Sequence, residues 1–155
     1  MIHTCSFKPH TYYLEPTEMR ILAIDYGTKR VGLAVTDPLK IIASALETVH
    51  SKDVLVFLKT YLESEEVEAF VVGMPVNLDG EDTNNTPHVK GFVKNLQKTF
   101  PEIPVHLHDE RFTSKIALQA MISSGYSKKD RREKGNIDKI SAVIILQSYM
   151  EKEGI

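Results

Sequence analysis

Residues 21–37 read "ILAIDYGTKRVGLAVTD", and this stretch decides how the chain folds. Ile21–Ile24 is an unbroken apolar run, the pattern of a central strand covered on both faces. Asp25 ends it. Gly27 and Thr28 suit a tight turn, and Val31–Val35 reads as a second strand, so the two runs form a hairpin. A lone carboxylate stands at the tip of a buried strand, with Lys29 and Arg30 beside it.

The rest of the chain extends this beginning. "IIASALETV" reads as a third strand. Val54, Phe57, Leu58, Tyr61 and Leu62 have the spacing of one helical face within Lys52–Glu66, with Ser51 as its N-cap. "EAFVVG" is a buried strand ending at Gly73. Val89, Phe92, Val93 and Leu96 mark a second helix, and "IPVHLHDE" a fifth strand. "TSKIALQAMISSG" is a helix capped by Thr113 and stopped by Gly125. "YSKKDRREKG" reads as a basic loop, after which Asn136 caps a last helix, "IDKISAVIILQSYMEKE". The order is three strands, helix, strand, helix, strand, helix, helix. It implies an α/β fold with a mixed five-stranded sheet and helices on both faces.

Bulk properties narrow the function classes. The chain has 155 residues, 42% of them apolar and 26% charged, as in an ordinary globular domain. A net charge of -2 supplies no global field toward nucleic acid or anionic lipid, so polyanion binding must come from local patches. One cysteine, Cys5, allows neither an internal disulfide nor a cysteine metal cluster and fits a reducing, cytoplasmic setting. No run reaches transmembrane length, and no membrane partner is expected. Residues 1–18 hold two of the seven prolines and no apolar period. They read as a loosely ordered extension, with Met19 as the functional start, ahead of one domain over residues 19–155.

Open α/β sheets carry their sites at the carboxyl ends of strands. Asp25 ends the first strand, Asp109 and Glu110 end the fifth, and Asp138 lies in the first turn of the last helix. Carboxylates gathered without cysteine or paired histidine ligands suit hard cations such as Mg²⁺ or Mn²⁺. Two such ions about 4 Å apart stabilise both the attacking and the leaving oxygen in phosphodiester hydrolysis. Each acid also has an ordinary reading: a turn aspartate at 25, a helix-dipole partner at 138, a surface ion pair between Glu110 and Arg111. Ser141 and Ala142, one turn beyond Asp138, are small enough to let that end of the helix approach the sheet. His106 and His108 share one strand face and read as structural. The loop "NLDGEDTNNTP", with Asp79, Glu81 and Asp82, is long enough to shape entry to the site. "KKDRREK", containing Lys128, Lys129, Arg131 and Arg132, is the clear basic patch, with Lys115 and Lys139 nearby in sequence, and it precedes Asp138.

Four blocks in order resemble one family: "AIDYGTKRVGLAVTD", "VVGMPVNLDG", "DERFTS" and "NIDKISAVIILQSYM". The chain is similar over residues 19–150 to the YqgF (RuvX) family of the RNase H superfamily. The departures are Met74 where Leu is usual and Thr36 where Ser is common. The resemblance implies an RNase H-like fold and metal-dependent cleavage of a phosphodiester, with Asp25, Glu110 and Asp138 as catalytic and metal-binding carboxylates and Mg²⁺ or Mn²⁺ as cofactor. Ser141 stands where some superfamily members carry a fourth acid. The implied role is maturation of the 5′ end of pre-16S rRNA in ribosome biogenesis, on a precursor or a pre-ribosomal particle. Lys29, Arg30, Arg111 and the patch at 128–132 would then contact the substrate, and the expected state is a monomer or weak dimer.

Three alternatives stand beside this. One is a Holliday junction resolvase. Another is a non-catalytic RNA-binding assembly factor that keeps an acidic pocket. The third is a phosphotransferase of the actin and sugar-kinase type, whose phosphate loop "IDYGT" also resembles; those enzymes need two such domains, and 155 residues supply one.

Overall fold

The computed structural model describes residues 18–76, 82–109, 113–125 and 127–155. Its order is β1 (Arg20–Tyr26), β2 (Arg30–Thr36), β3 (Ala43–His50), α1 (Val54–Tyr61), β4 (Val67–Met74), α2 (Thr86–Thr99), β5 (Val105–Asp109), α3 (Thr113–Ser123), α4 (Lys128–Arg132) and α5 (Lys134–Glu153). The five strands form one sheet in the order β3-β2-β1-β4-β5. β1–β2 and β2–β3 pair antiparallel, while β1–β4 and β4–β5 pair parallel, so the expected mixed sheet is present.

Strand alternation divides the core in two. Leu22, Ile24, Val31, Leu33, Phe70 and Val72 face α1 and α2, and pack on Val54, Leu58, Val89, Phe92 and Leu96. Ile21, Ala23, Ala34 and Val71 face the other way, onto Ala142, Ile145 and Leu146 of α5. The continuous apolar runs of β1 and β4 arise because both faces are covered. Tyr26 stacks on Phe92, ring centroids 4.4 Å apart, which ties the end of β1 to α2.

Several local boundaries differ from the sequence reading. α1 is shorter, and Asp53 rather than Ser51 holds its N-cap position. The Ser51 hydroxyl instead donates to the Thr28 carbonyl, 2.7 Å away, bracing the β1–β2 turn. The supposed basic loop contains a helix, α4, closed by a capping box between Ser127 and Asp130. α5 begins at Lys134, with Glu133 at the N-cap. Asn136 is already helical, and its side-chain amide donates to the Asp130 carbonyl, joining α4 to α5. Thr113 is the first residue of α3, and Gly125, at φ +78°, ends that helix as expected. Among the described residues no helix is long and apolar enough to cross a membrane. The extension 1–17, including Cys5, and loop residues 77–81 lie outside the described residues.

Candidate active site

The site is built where α5 meets the β1–β2 hairpin. Asp25 shares the α5-facing side of β1 with Ile21 and Ala23 by alternation. Its cross-strand partner is Gly32. Directly opposed positions point to the same face with Cβ atoms about 4.5–5.5 Å apart. A Cβ at Gly32 would lie 2.0 Å from the Asp138 carbonyl oxygen and 2.4 Å from its carbon. Only glycine at 32 lets the first turns of α5 rest on the sheet here. The result is that Asp138 is seated against the strand neighbour of Asp25.

The helix side matches. Ser141 is 1% exposed and Ala142 fully buried, the small residues that permit the approach. Two further contacts hold the start of α5. The Thr48 hydroxyl donates to the Gly135 carbonyl at 2.8 Å, and Lys139 pairs with Glu47 at 3.0 Å.

Arg30 is not directed to solvent. Its Nε donates to Asp138 Oδ2 at 2.8 Å, with side-chain exposures of 41% and 24%. An ion pair this open is worth about 0–1 kcal/mol, so the packing at Gly32, not the pair, seats the helix. Lys29 next to it is exposed on the turn. Lys128 and Lys129 are exposed on α4, which packs on α5 at the Asp138 end. The two described lysines of the basic patch are therefore carried on a helix that packs against the one bearing Asp138. Lys139 has left it, committed to Glu47 on β3.

Glu110 and Arg111 lie outside the described residues, as do the side chains of Arg131, Arg132 and Lys115. Asp109 ends β5 opposite Met74 on β4, at the carboxyl end of the sheet that also carries Asp25. Among the described residues no three His, Cys, Asp or Glu side chains gather closely enough to hold a metal. The donor type nevertheless fits a hard cation: Asp25 and Asp138 offer carboxylate oxygens, and the buried Ser141 hydroxyl has no hydrogen-bond partner among the described residues. His108 is structural: its Nε2 meets the Ser148 hydroxyl at 2.9 Å and its ring lies edge-on to Tyr149. Burial pushes its pKa below the usual histidine value of 6.5, and Lys152 pushes the same way. Asp82 pairs with Lys90 at 2.8 Å, both side chains exposed.

A groove of about 470 Å³ opens at the hairpin tip between Gly27, Thr28, Asn84, Asn85 and His88. The Asn85 amide donates to the Tyr26 carbonyl at 2.9 Å, and the Thr86 hydroxyl to that of Pro75 at 2.8 Å. These bonds fasten the start of α2 to the ends of β1 and β4. Neither contact was legible in "NNTP", which reads in sequence as part of the polar loop, whereas α2 begins at Thr86 with Pro in its first turn.

A hairpin-led mixed sheet crossed by one long helix, with acids at the carboxyl end, defines an RNase H-like fold. A solved structure of Thermus thermophilus RuvC with a Holliday junction substrate shares it at a TM-score of 0.54 and 19% identity, covering 88% of this chain and 96% of that one. The family described as RuvX, Holliday junction resolvase, matches residues 19–152, and the chain belongs to that family. Relatives named for a proposed pre-16S rRNA nuclease activity include one from Amoebophilus asiaticus, 53% identical over 131 residues, 84% of this chain and 93% of the relative. Another, from Phocaeicola vulgatus, is 51% identical over 134 residues, 86% of this chain and 96% of the relative. Family membership places the chain among hydrolases that act on nucleic acid.

Proposed function

We propose that the chain hydrolyses phosphodiester bonds in RNA, acting on the 5′ end of pre-16S rRNA, with Asp25, Asp138 and Glu110 holding Mg²⁺ or Mn²⁺. The observation that carries this is the seating of Asp138 on Gly32, the strand partner of Asp25. The backbone of Asp138 thus lies beside the strand partner of Asp25, which supports a shared site at the carboxyl end of the sheet. Glu110 directly follows Asp109, the last residue of β5, so its place in the chain is consistent with the same end. The RNA assignment rests on relatives about half identical to this chain and named for that substrate.

The chain's own residues divide the work. Asp25 sits on the best-buttressed strand, between β2 and β4, so its backbone position is fixed by the sheet. Asp138 is fixed by the helix that Gly32 admits. A bound divalent cation would supply Lewis acidity at the phosphoryl oxygens and a more acidic water as nucleophile. Lys29, Lys128 and Lys129 hold the phosphate backbone without reading sequence, as does Arg30 when it leaves Asp138. Arg111, Arg131 and Arg132 belong to the same proposal.

The test is a cleavage assay in Mg²⁺ and in Mn²⁺ with three substrates: a single-stranded RNA, a small-subunit rRNA precursor fragment and a four-way DNA junction. Metal-dependent cutting of the precursor that disappears in Asp25→Asn and Glu110→Gln supports the proposal. Cutting of the junction alone favours the second reading, which the family description motivates. Binding of RNA without cleavage in either metal refutes the catalytic reading in favour of an assembly factor.

A further inference from the structure

We propose that Arg30 is the resident counter-ion of Asp138: it releases that carboxylate when a divalent cation binds and turns to a phosphate of the nucleic acid. Cation and substrate binding are thereby coupled through one guanidinium. The inference rests on the reading of Asp25 and Asp138 as cation ligands.

The contact itself has the form of a placeholder. Arginine and carboxylate gain most from a two-pronged fork, with two parallel N–H···O bonds. Here one nitrogen, Nε, meets one oxygen, Oδ2, at 2.8 Å. The Arg30 side chain is 41% exposed, so its guanidinium has water to move into. Arg30 opens β2 and shares the α5-facing side of that strand with Gly32 and Ala34. It therefore stands at the rim of the same face that carries the acids, next to the exposed Lys29.

The fold does not need the pair. The start of α5 is held by its close seat on Gly32, by Thr48 on Gly135 and by Lys139 on Glu47. What draws a cation is the Asp138 carboxylate, at the rim of the face that carries Asp25. Arg30 supplies a positive charge to that carboxylate. With a divalent ion held there, the Asp138 carboxylate would no longer need the guanidinium, which the added positive charge would repel. Arg30 then loses its partner and is available to a phosphate of the backbone. By reciprocity, a backbone that engages Arg30 clears Asp138 and tightens cation binding.

The sign of the effect separates this role from ordinary positioning. A residue that merely held Asp138 in place would weaken cation binding when removed. A placeholder strengthens it. The experiment uses the full chain and Mn²⁺, with free Mn²⁺ followed by electron paramagnetic resonance, in the presence and absence of a short single-stranded RNA. For Arg30→Gln without RNA, the expected result is Mn²⁺ binding about fivefold tighter than wild type or more. The tightening that RNA gives wild type should shrink in the variant. Arg30→Lys, which keeps the charge, should behave more like wild type. Circular dichroism verifies that both variants keep the helix content of the parent.

Mn²⁺ affinity in Arg30→Gln that is equal to or weaker than wild type overturns the proposal. A separate outcome marks failure of the underlying reading: Asp25→Asn and Asp138→Asn binding Mn²⁺ as wild type does. That result removes the carboxylates as ligands and the proposal with them.

Discussion

Gly32→Ala puts one methyl group at the point where α5 rests on the sheet. Its Cβ would lie 2.0 Å from the Asp138 carbonyl oxygen, 2.4 Å from the carbonyl carbon and 3.1 Å from the Lys139 nitrogen. Ordinary contact begins near 3.4 Å, so the helix must retreat by about 1.4 Å at that carbonyl. Both sides of the clash are backbone, so no side-chain rotation relieves it. The neighbours Ser141 and Ala142 are buried at 1% and 0% exposure, which leaves no slack along the seat. Overpacking of this kind costs about 1–3 kcal/mol. At about 2–4 °C per kcal/mol for a chain of this size, Tm should fall by several degrees. The activity loss should be larger than the stability loss. A 1 Å misplacement of a positioned group costs on the order of 10²-fold in rate, and Asp138 is carried by the displaced turn. The matched control is Gly91→Ala in α2, where a Cβ meets nothing within 4 Å. Replacing that helical glycine should stabilise by roughly 0.5–1 kcal/mol and leave cleavage unchanged. The assay pairs thermal melts with cleavage of the rRNA precursor fragment. Gly32→Ala with wild-type Tm and wild-type rate would refute the claim that this glycine seats Asp138.

Three further outcomes are expected. Asp25→Asn, nearly isosteric, should abolish cleavage while leaving circular dichroism and Tm close to wild type; retained cleavage would remove Asp25 from the chemistry. Lys128→Glu with Lys129→Glu should weaken binding to RNA of any sequence and lower the slope of log K against log salt by about 1.4, at about 0.7 per phosphate contact on a single strand; an unchanged slope would place the RNA path elsewhere. His108 has a folded pKa held below 6.5, chiefly by burial, so the unfolded chain binds its proton more readily. The stability it contributes is full above pH 6.5 and is lost as pH falls from there through the folded value; His108→Gln should flatten the melting profile in that window, and an unchanged profile would exclude His108 as its source.

The scaffold was legible in the sequence because each main element carries its own local signal. β1 and β4 are unbroken apolar runs, and α2 repeats Val89, Phe92, Val93 and Leu96 on one face. The candidate acids were legible as residue types at strand and helix ends. What joins them was not. Gly32 reads in sequence as one small residue in an alternating strand, and its need becomes visible only with Asp138 lying on top of it. The Arg30–Asp138 pair spans most of the chain, so the sequence suggested a phosphate contact for Arg30 and left its carboxylate partner unseen. α4 was hidden because "KKDRR" has no apolar period. Its signal was the capping pattern of Ser127 with Asp130 three residues on. Asn136 looked like a cap because asparagine favours that position, but here its amide serves the Asp130 carbonyl from inside the helix.

The central claim is that Asp25 and Asp138 converge on one divalent cation. A crystal of the full chain soaked in Mn²⁺ and measured for anomalous scattering tests it most directly. A strong peak is expected within coordination distance, about 2.0–2.3 Å, of a carboxylate oxygen of each residue. A Mn²⁺ peak bound elsewhere, with neither carboxylate in its coordination sphere, would contradict it.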